Sequence, residues 1–507
     1  MSAFRKSMII NPSTGDGFNV VNQAYEAASS NKRAESWGAV DVAPNSALSS
    51  YLTALRRQSR SAYRNNPYIS KGIDNQVSTE IGTGITVRST ATNESFRDAA
   101  DELFTQFIDD IDPEGNLNLF GQQAQCSRSR RVSGEVFIRK RRRSLTSGHV
   151  LPIQCQVLES DFVPVNLHRV LKNKNTIVNG IEFNRRGQRV AYWMYQFHPG
   201  ERSQNSKYNN LIRVPAHDVI HHFLPTRPGQ VRGEPVTVQS LVKANTFDQY
   251  DDAELVRKQS RAKFTGFLTR DQFGEDDYKF DPFSGEPLQD DGSMMGATVE
   301  PGTILQGLPG EKLEMFGGDD TSESYSSFMR WQSLSTAAGL KIPYEIMTGD
   351  WEKVNDRIMR AVLHEYRRQI DMDCDHLMKF QICRRIWHWA MDAGVLANKL
   401  PVGNYLAERD ELLKHEWRAQ GHPYMHPEQD INAKTKGIKN NVFSIKDTVS
   451  ATGKDANTIM DENLEMESKW YAKRKEKGLP EAPFPPFVDL IELPTNEIPQ
   501  GVSDNNQ

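Results

Sequence analysis

The stretch Ala337–Ala361, AAGLKIPYEIMTGDWEKVNDRIMRA, decides how this chain is assembled. Gly339, Pro343 and Gly349 break it, because glycine frees the backbone and proline lacks the amide donor a helix needs. On one side, Ser322–Ala338 has helical spacing; on the other, the pattern predicts one helix from about Asp356 to Ala393. At 1.5 Å per residue such a helix is about 60 Å long, unusual for a compact enzyme domain and suited to a spoke packed against neighbours. Further upstream, LVKANTFDQYDDAELVRKQSRAKF, from Leu241 to about Phe264, predicts another long helix. Residues 265 to 315, rich in Gly, Asp and Pro with short apolar runs, read as a small β-rich insertion. The order helix, insertion, helix, Gly/Pro bridge, long helix predicts two helices side by side that display a small domain at their far end.

Residues 1 to about 48, rich in Ser, Asn, Ala and Gly, read as a flexible arm. Ser49–Arg64 is predicted helical and stopped by Asn65-Asn66-Pro67; a second helix, Ile69–Ile81, stops at Gly82, and a strand follows from Gly84 to Arg88. Phe96, Ala99, Ala100, Leu103, Phe104 and Phe107 mark an amphipathic helix over 94–108. Between about 119 and 224 the period shifts toward two, with strands at Glu135–Arg139, Leu151–Leu158 and Val190–Gln196 and a hairpin turn at Asn179-Gly180. Two shorter helical stretches, 426–439 and 444–475, precede the Pro-rich LPEAPFPPF and a polar end read as disordered over 481–507. The fold class is α+β.

A chain of 507 residues suggests roughly three domains or one elaborated fold. Only 37% of residues are hydrophobic and the mean hydropathy is -0.63, which favours elongated or interface-rich shapes. A charged fraction of 25% with a net of -4 stays within the globular range. Cys126, Cys155, Cys374 and Cys383 are too widely spaced for a disulfide framework or zinc ribbon and read as reduced thiols. The N-terminus lacks the apolar centre of a signal peptide, and no apolar stretch approaches the ~18 residues a bilayer span requires, so no membrane partner is expected.

The chemistry of a motor or hydrolase has no visible carrier. There is no G-x-x-x-x-G-K-[ST] phosphate cradle, no G-x-G-x-x-G, no G-x-S-x-G and no H-E-x-x-H; Gly453-Lys454-Asp455 lacks the upstream glycine and the hydroxyl residue. His415, His422 and His426, near Glu416 and Glu428, are placed in a loop and read as ordinary polar histidines rather than a metal site. His221-His222, if on a strand, face opposite ways and cannot share one site. The adjacent pairs Asp251-Asp252 and Asp319-Asp320 fit helix starts or solvated faces. No catalytic residue, cofactor or metal is assigned. The basic residues Arg128, Arg130, Arg131 and Arg139-Lys140-Arg141-Arg142-Arg143 read as a solvated face before a phosphate-contacting patch.

Several segments, in order, resemble the lambda-like family of tailed-bacteriophage portal proteins. They are Asn66-Pro67-Tyr68 with Gly82-Thr83-Gly84-Ile85, then Arg227-Pro228-Gly229-Gln230-Val231-Arg232-Gly233, and Asp251-Asp252-Ala253-Glu254-Leu255. Glu300–Ile304 and Leu308–Glu311 follow, then Ala337–Leu340, Pro343-Tyr344-Glu345, Thr348-Gly349-Asp350, Val354-Asn355 and Arg360-Ala361, and finally Trp417, Gly421, Pro423 and Pro427. The similarity covers roughly residues 50 to 475.

The resemblance implies a portal fold, a homo-oligomeric ring, commonly a dodecamer, with a central channel for double-stranded DNA at one capsid vertex. It implies a wing over 49–235, a first stem helix at 236–264, a clip at 265–318 and a second stem helix at 319–340. A tunnel loop at 341–355 would follow, then more wing at 356–425 and a crown at 426–480. The implied partners are the terminase large subunit, the major capsid protein and a head-completion or tail adaptor protein. The virion is the implied location, after assembly in the host cytoplasm. Channel-facing candidates are Lys341, Tyr344, Glu345, Thr348, Asp350, Trp351, Lys353 and Asn355 in the tunnel loop, and Lys243, Arg257, Lys258, Arg261 and Lys263 on the stem. Lys341 and Lys353 alternate with Glu345, Asp350 and Glu352, so no strong clamp on DNA is expected. The stripe Leu363, Tyr366, Ile370, Leu377, Phe380 and Trp387 reads as core or interface. The competing class is a DNA-packaging ATPase or a nuclease, which the missing phosphate loop and the missing carboxylate set for a metal disfavour.

Overall fold

The computed structural model describes residues 41–201, 210–263, 267–270, 311–314, 322–352, 354–422, 426–450, 452–453 and 456–480, together with a short antiparallel pair, β1 (Met8–Ile10) and β2 (Gly17–Asn19). Most of the arm expected at 1–48, most of the insertion expected at 265–315 and the tail at 481–507 lie outside the described residues.

Helix α1 (Pro44–Asn65) starts earlier than its periodicity suggests, because Pro44 presets the backbone of its first turn. Asn66 ends it and begins α2 (Pro67–Ile81): its Oδ1 accepts from the amides of Tyr68 and Ile69, at 3.1 and 3.0 Å. Strand β3 (Thr86–Ser89) and helix α3 (Glu94–Asp110), capped by Asn93, match the expected positions. Helix α4 (Leu119–Ser133) corrects the expectation of extended structure there. It is capped by Asn118 and stopped by Gly134 at φ +87°, and it buries Gln122, Gln123, Ser127, Arg130 and Arg131 in place of an apolar stripe.

Two small antiparallel sheets follow. Strands β4 (Glu135–Arg142) and β5 (Ile153–Glu159) join the later β11 (Val219–Phe223) in the order β11-β4-β5. Strands β6 (Arg169–Val170), β7 (Thr176–Val178), β8 (Ile181–Phe183), β9 (Arg189–Tyr195) and β10 (Leu211–Pro215) form a second sheet in the order β10-β9-β8-β7-β6. Asn179 and Gly180 turn β7 into β8 with φ of +50° and +80°, as an Asn-Gly hairpin requires. Phe137, Leu158, Ile181, Tyr192 and Val214 pack the two sheets together.

After a 3-10 turn at Val236–Gln239 comes α5 (Leu241–Lys263). Strands β12 (Phe267–Arg270) and β13 (Glu311–Glu314) pair antiparallel, so the two ends of the insertion are zipped together between α5 and α6 (Ser322–Leu340). The bridge contains a short helix, α7 (Tyr344–Thr348). The long helix expected from Asp356 is continuous but not uniform. It is α8 (Asp356–Asp373), a ten-residue π-helical stretch (Cys374–Cys383) and α9 (Arg384–Leu396). Helix α10 (Tyr405–Leu412) leads to β14 (His415–Arg418), which pairs with β3. Helices α11 (Pro427–Lys439), α12 (Ile445–Ser450) and α13 (Ala456–Glu476) end the described chain.

The largest core gathers Phe96, Phe104, Phe107, Trp387 and Trp417, with Phe104 at 5.1 Å from Trp387 and 6.0 Å from Trp417 between ring centres. All four cysteines lie in it, free and buried; burial pushes the Cys155 and Cys374 thiols up to about 12. Of the expected stripe on the long helix, Tyr366, Ile370, Leu377 and Trp387 are buried, whereas Phe380 is exposed. Both edges of the three-stranded sheet are met by glutamine. Gln381, in the π-helical stretch, accepts from the Phe223 amide at 3.2 Å and donates to the Phe223 carbonyl at 3.1 Å. Gln122 donates to the Cys155 carbonyl at 2.9 Å, while the Cys155 amide donates to Ile111 O at 2.8 Å.

Candidate channel-lining site

Helices α5 and α6 run antiparallel, since Ser240 Oγ donates to Thr336 O at 2.9 Å while Tyr325 donates to Asp251 at the other end. Tyr250 stacks on Tyr325 and lies 4.7 Å from Phe328. The bond to Asp251 favours the protonated phenol and pushes Tyr325 up to about 12. Lys243, Arg257 and Lys258 are exposed on α5; Arg257 is engaged by Glu254, and Lys258 Nζ sits 5.1 Å over the Tyr325 ring. By helical position Lys243, Arg257 and Lys258 share one face within about 100°. The side chains of Arg261 and Lys263 lie outside the described residues.

The bridge is built against α2. Gly72 of α2 lies against the bridge, its Cβ position 3.5 Å from Leu340 and 3.6 Å from Met347, ordinary contact distances. Gln76 donates to Leu340 O at 2.8 Å, and Ile69, Ile73, Val77, Leu340, Ile342, Met347, Tyr366 and Ile370 form one cluster. Lys341, exposed, takes φ +59° to turn the chain out of α6. Tyr344 Oη donates to Asp350 at 3.1 Å, with Arg330 5.7 Å from its ring. Thr348 Oγ1 donates to Tyr344 O and accepts from the Asp350 amide. Asn355 is the N-cap of α8, accepting from Ile358 N at 2.9 Å. Trp351 is partly exposed and faces Ile346, Val354, Ile358 and Leu363 across a narrow apolar crevice. Glu345 is half-buried, and Asp350 and Glu352 are exposed; Lys353 lies outside the described residues. Tyr344, Thr348 and Asn355 thus shape the bridge, while Lys341, Asp350, Trp351 and Glu352 are its outward groups. Between bridge, α2, α5 and α6 opens a cleft of about 850 Å³ lined by Tyr68, Phe247, Asp251, Trp331, Tyr344 and Asp350.

Two buried charge nodes lie in the first part of the fold, and of their charged residues only Arg130, Arg131 and Arg232 stand out in the sequence. Glu135 accepts from Arg232 Nε at 2.7 Å, from Arg56, from His221 at 2.9 Å and from the Gly233 amide at 2.9 Å. Burial raises the Glu135 carboxyl, but Arg232 and Arg56 overcome this and hold it well below its ordinary value. Arg232 also donates to the carbonyls of Asn179 and Val163. A Cβ on Gly233 would stand 2.1 Å from Gly134 O, so the chain passes here only as glycine. Glu80, likewise buried, pairs with Arg131 and accepts from Ser127; burial would raise its carboxyl, yet Arg131 and Arg130 bring it down to about 2. Arg130 reaches on to Asp373 at 3.0 Å. These two arginines are buried ion-pair partners and not solvated surface; Arg128, at 3.0 Å from Asp74, is partly exposed.

The histidines are dispersed. His415 lies on strand β14, correcting its placement in a loop; His422 meets Asp371 at 2.8 Å, and His426 approaches Asp356 at 3.6 Å. His221 and His222 face opposite sides of β11, toward Glu135 and Gln381. Glu159, Asp161 and His198 converge closely enough for a metal ion. There, however, Arg60 pairs with both carboxylates, and His198 Nδ1 accepts from Gly200 N at 3.1 Å. Those contacts already occupy both carboxylates and Nδ1 of the ring.

Residues 30–373 match the family described as "Phage portal protein, lambda family". A "Probable portal protein" of Halomonas phage phiHAP-1 is 25% identical over 312 residues, 60% of this chain, and the match spans 57% of that relative's length. Among solved structures, a chain in the neck of an empty GTA particle overlaps 80% of this chain and 93% of its own length, at 12% identity and a TM-score of 0.45. A chain of the native gene transfer agent virion overlaps to the same extent, at 11% identity and a TM-score of 0.42. With more than half of its residues matched in one continuous run, the chain belongs to the lambda family of phage portal proteins.

Proposed function

We propose that this chain assembles into a ring of identical subunits, a dodecamer, at one vertex of a phage capsid. Double-stranded DNA would pass through the centre during packaging and ejection. The family match carries this reading, supported by the antiparallel pair α5–α6 with its zipped insertion and a bridge seated on α2. In it, 49–235 and 356–425 are the wing, α5 and α6 the stem, 265–318 the clip, 341–355 the tunnel loop and 426–480 the crown. Lys341, Asp350, Trp351 and Glu352, with Lys353, face the DNA. Lys243, Arg257 and Lys258 line the stem.

Mixed charge at the bridge suits a conduit, because each neutralised phosphate adds affinity and would hold DNA in place. A twelve-fold ring multiplies the chain's -4, which repels DNA at long range and leaves only local basic belts to guide it. The terminase large subunit, and later an adaptor protein, would dock at the clip, and the major capsid protein at the wing. The subunit would act structurally and leave ATP hydrolysis and DNA cutting to others. Electron micrographs of purified protein with rotational averaging test the reading: rings with a hole wide enough for a duplex are expected. A strictly monomeric particle at high concentration and moderate salt would overturn it.

A further inference from the structure

Strand β4 changes character half-way along: Glu135–Ile138 are buried, and Arg139, Lys140, Arg141 and Arg142 follow. Alternation sends Lys140 and Arg142 to one face, where Asp218 meets them at 3.0 and 3.3 Å. Arg139, Arg141 and Arg143 take the other face, beside Gln156 and Gln154 of β5. Arg141 Nε donates to Gln156 and Arg143 Nε to Gln154, both at 2.7 Å. Among the described residues no carboxylate pairs with Arg141 or Arg143, while Arg139 feels the charge of Asp218 without a salt bridge to it. Burial, and then Arg139 and Arg143 on either side, lower the Arg141 guanidinium's affinity for its proton; a bound anion would relieve that repulsion.

We propose that this face docks an extended acidic polypeptide segment bearing a carboxylate at every second residue. Alternate residues of a strand recur at about 6.7 Å, so guanidiniums on β4 and carboxylates on an extended partner keep the same register. Glutamine fixes each Nε and leaves the Nη groups of Arg141 and Arg143 to grip a carboxylate. The surroundings favour a narrow partner over a duplex. Gln154 Nε2 donates to the carbonyls of Asp110 and Asp112, at 3.0 and 3.2 Å, which brings the acidic segment Asp109–Glu114 alongside. A duplex would lay phosphates against that rim, whereas a single strand would not. The inference does not depend on the ring.

The test uses full-length protein in its native assembly, with a labelled peptide of alternating Glu and Thr, one of the same composition with its Glu residues in a block, and a 20-base-pair duplex. The alternating peptide should bind more tightly than the blocked one. The triple variant Arg139→Gln, Arg141→Gln, Arg143→Gln should lose about tenfold or more in peptide affinity with duplex affinity unchanged. Arg142→Gln, on the opposite face, should change neither. Should the triple variant fail to fold, Arg141→Lys keeps the charge, removes the fork and should still weaken peptide binding several-fold. Equal peptide binding by wild type and the folded variants, or a loss confined to the duplex, overturns the proposal.

Discussion

Between Pro44 and Gly233 the molecule carries charge inside: Glu135 holds Arg56, Arg232 and His221, and Glu80 holds Arg131. In α5 and α6 it carries apolar side chains outside: Val242 is 78% exposed and Trp331 72%, with Leu255, Val256 and Phe328 also open to solvent. The first region pairs its buried charges with one another. The second leaves several large apolar side chains in water near an open cleft, which suits an interaction surface. The contrast separates what this chain needs in order to fold from what it needs in order to assemble.

The sharpest way to break that contrast is Glu135→Gln. It strands two buried arginines and should lower subunit stability by about 3–5 kcal/mol in a urea titration. A loss below about 1 kcal/mol would mean the node is not what closes the region. Trp331→Ala should do the reverse. The unfolding free energy from a urea titration stays within about 0.5 kcal/mol of wild type, while sedimentation shows self-association weakened by about 2 kcal/mol or more. Acidification should act on the first region. Burial lowers His221 to about 4 and His222 to about 3, so below pH 6.5 the unfolded chain binds protons that the folded one refuses. The stability these neutral rings contribute is complete above 6.5 and is lost as pH falls toward 4 and 3. Glu80, depressed to about 2, adds a further loss below 4.5. Melting temperature should therefore decline from pH 6.5 downward, and His222→Gln should flatten the slope between 6.5 and 4. The smallest effect should come from Tyr344→Phe. It removes the bond to Asp350 and should cost under about 1 kcal/mol, with self-association unchanged.

Much of this was readable in the residues. Asn66 before Pro67, Gly82 after Ile81 and the Asn179-Gly180 pair each announce a backbone event that only those residue types favour, and each occurs. Helix α4 was not legible, because Gln122, Gln123, Ser127, Arg130, Arg131 and Ser133 outnumber Leu119, Cys126 and Val132 among its buried positions. A helix wrapped by partners that satisfy polar groups has no apolar stripe; only Asn118 and Gly134, at its two caps, betray it. The π-helical stretch was equally hidden, since it arises from packing and not from local propensity. At the bridge, the segment and its mixed charges could be read, but not which groups point outward. That division depends on α2, some 270 residues earlier, whose Gln76 and Gly72 hold the bridge from behind.

The glutamines at the borders of the three-stranded sheet have a consequence for crowding. A strand with free amides and carbonyls on its rim is a template, and identical molecules held at high local concentration are the ones best able to extend it. Gln381 occupies both backbone groups of Phe223, while Gln122 and the Ile111 carbonyl occupy those of Cys155. Strand addition by another copy is blocked at these points.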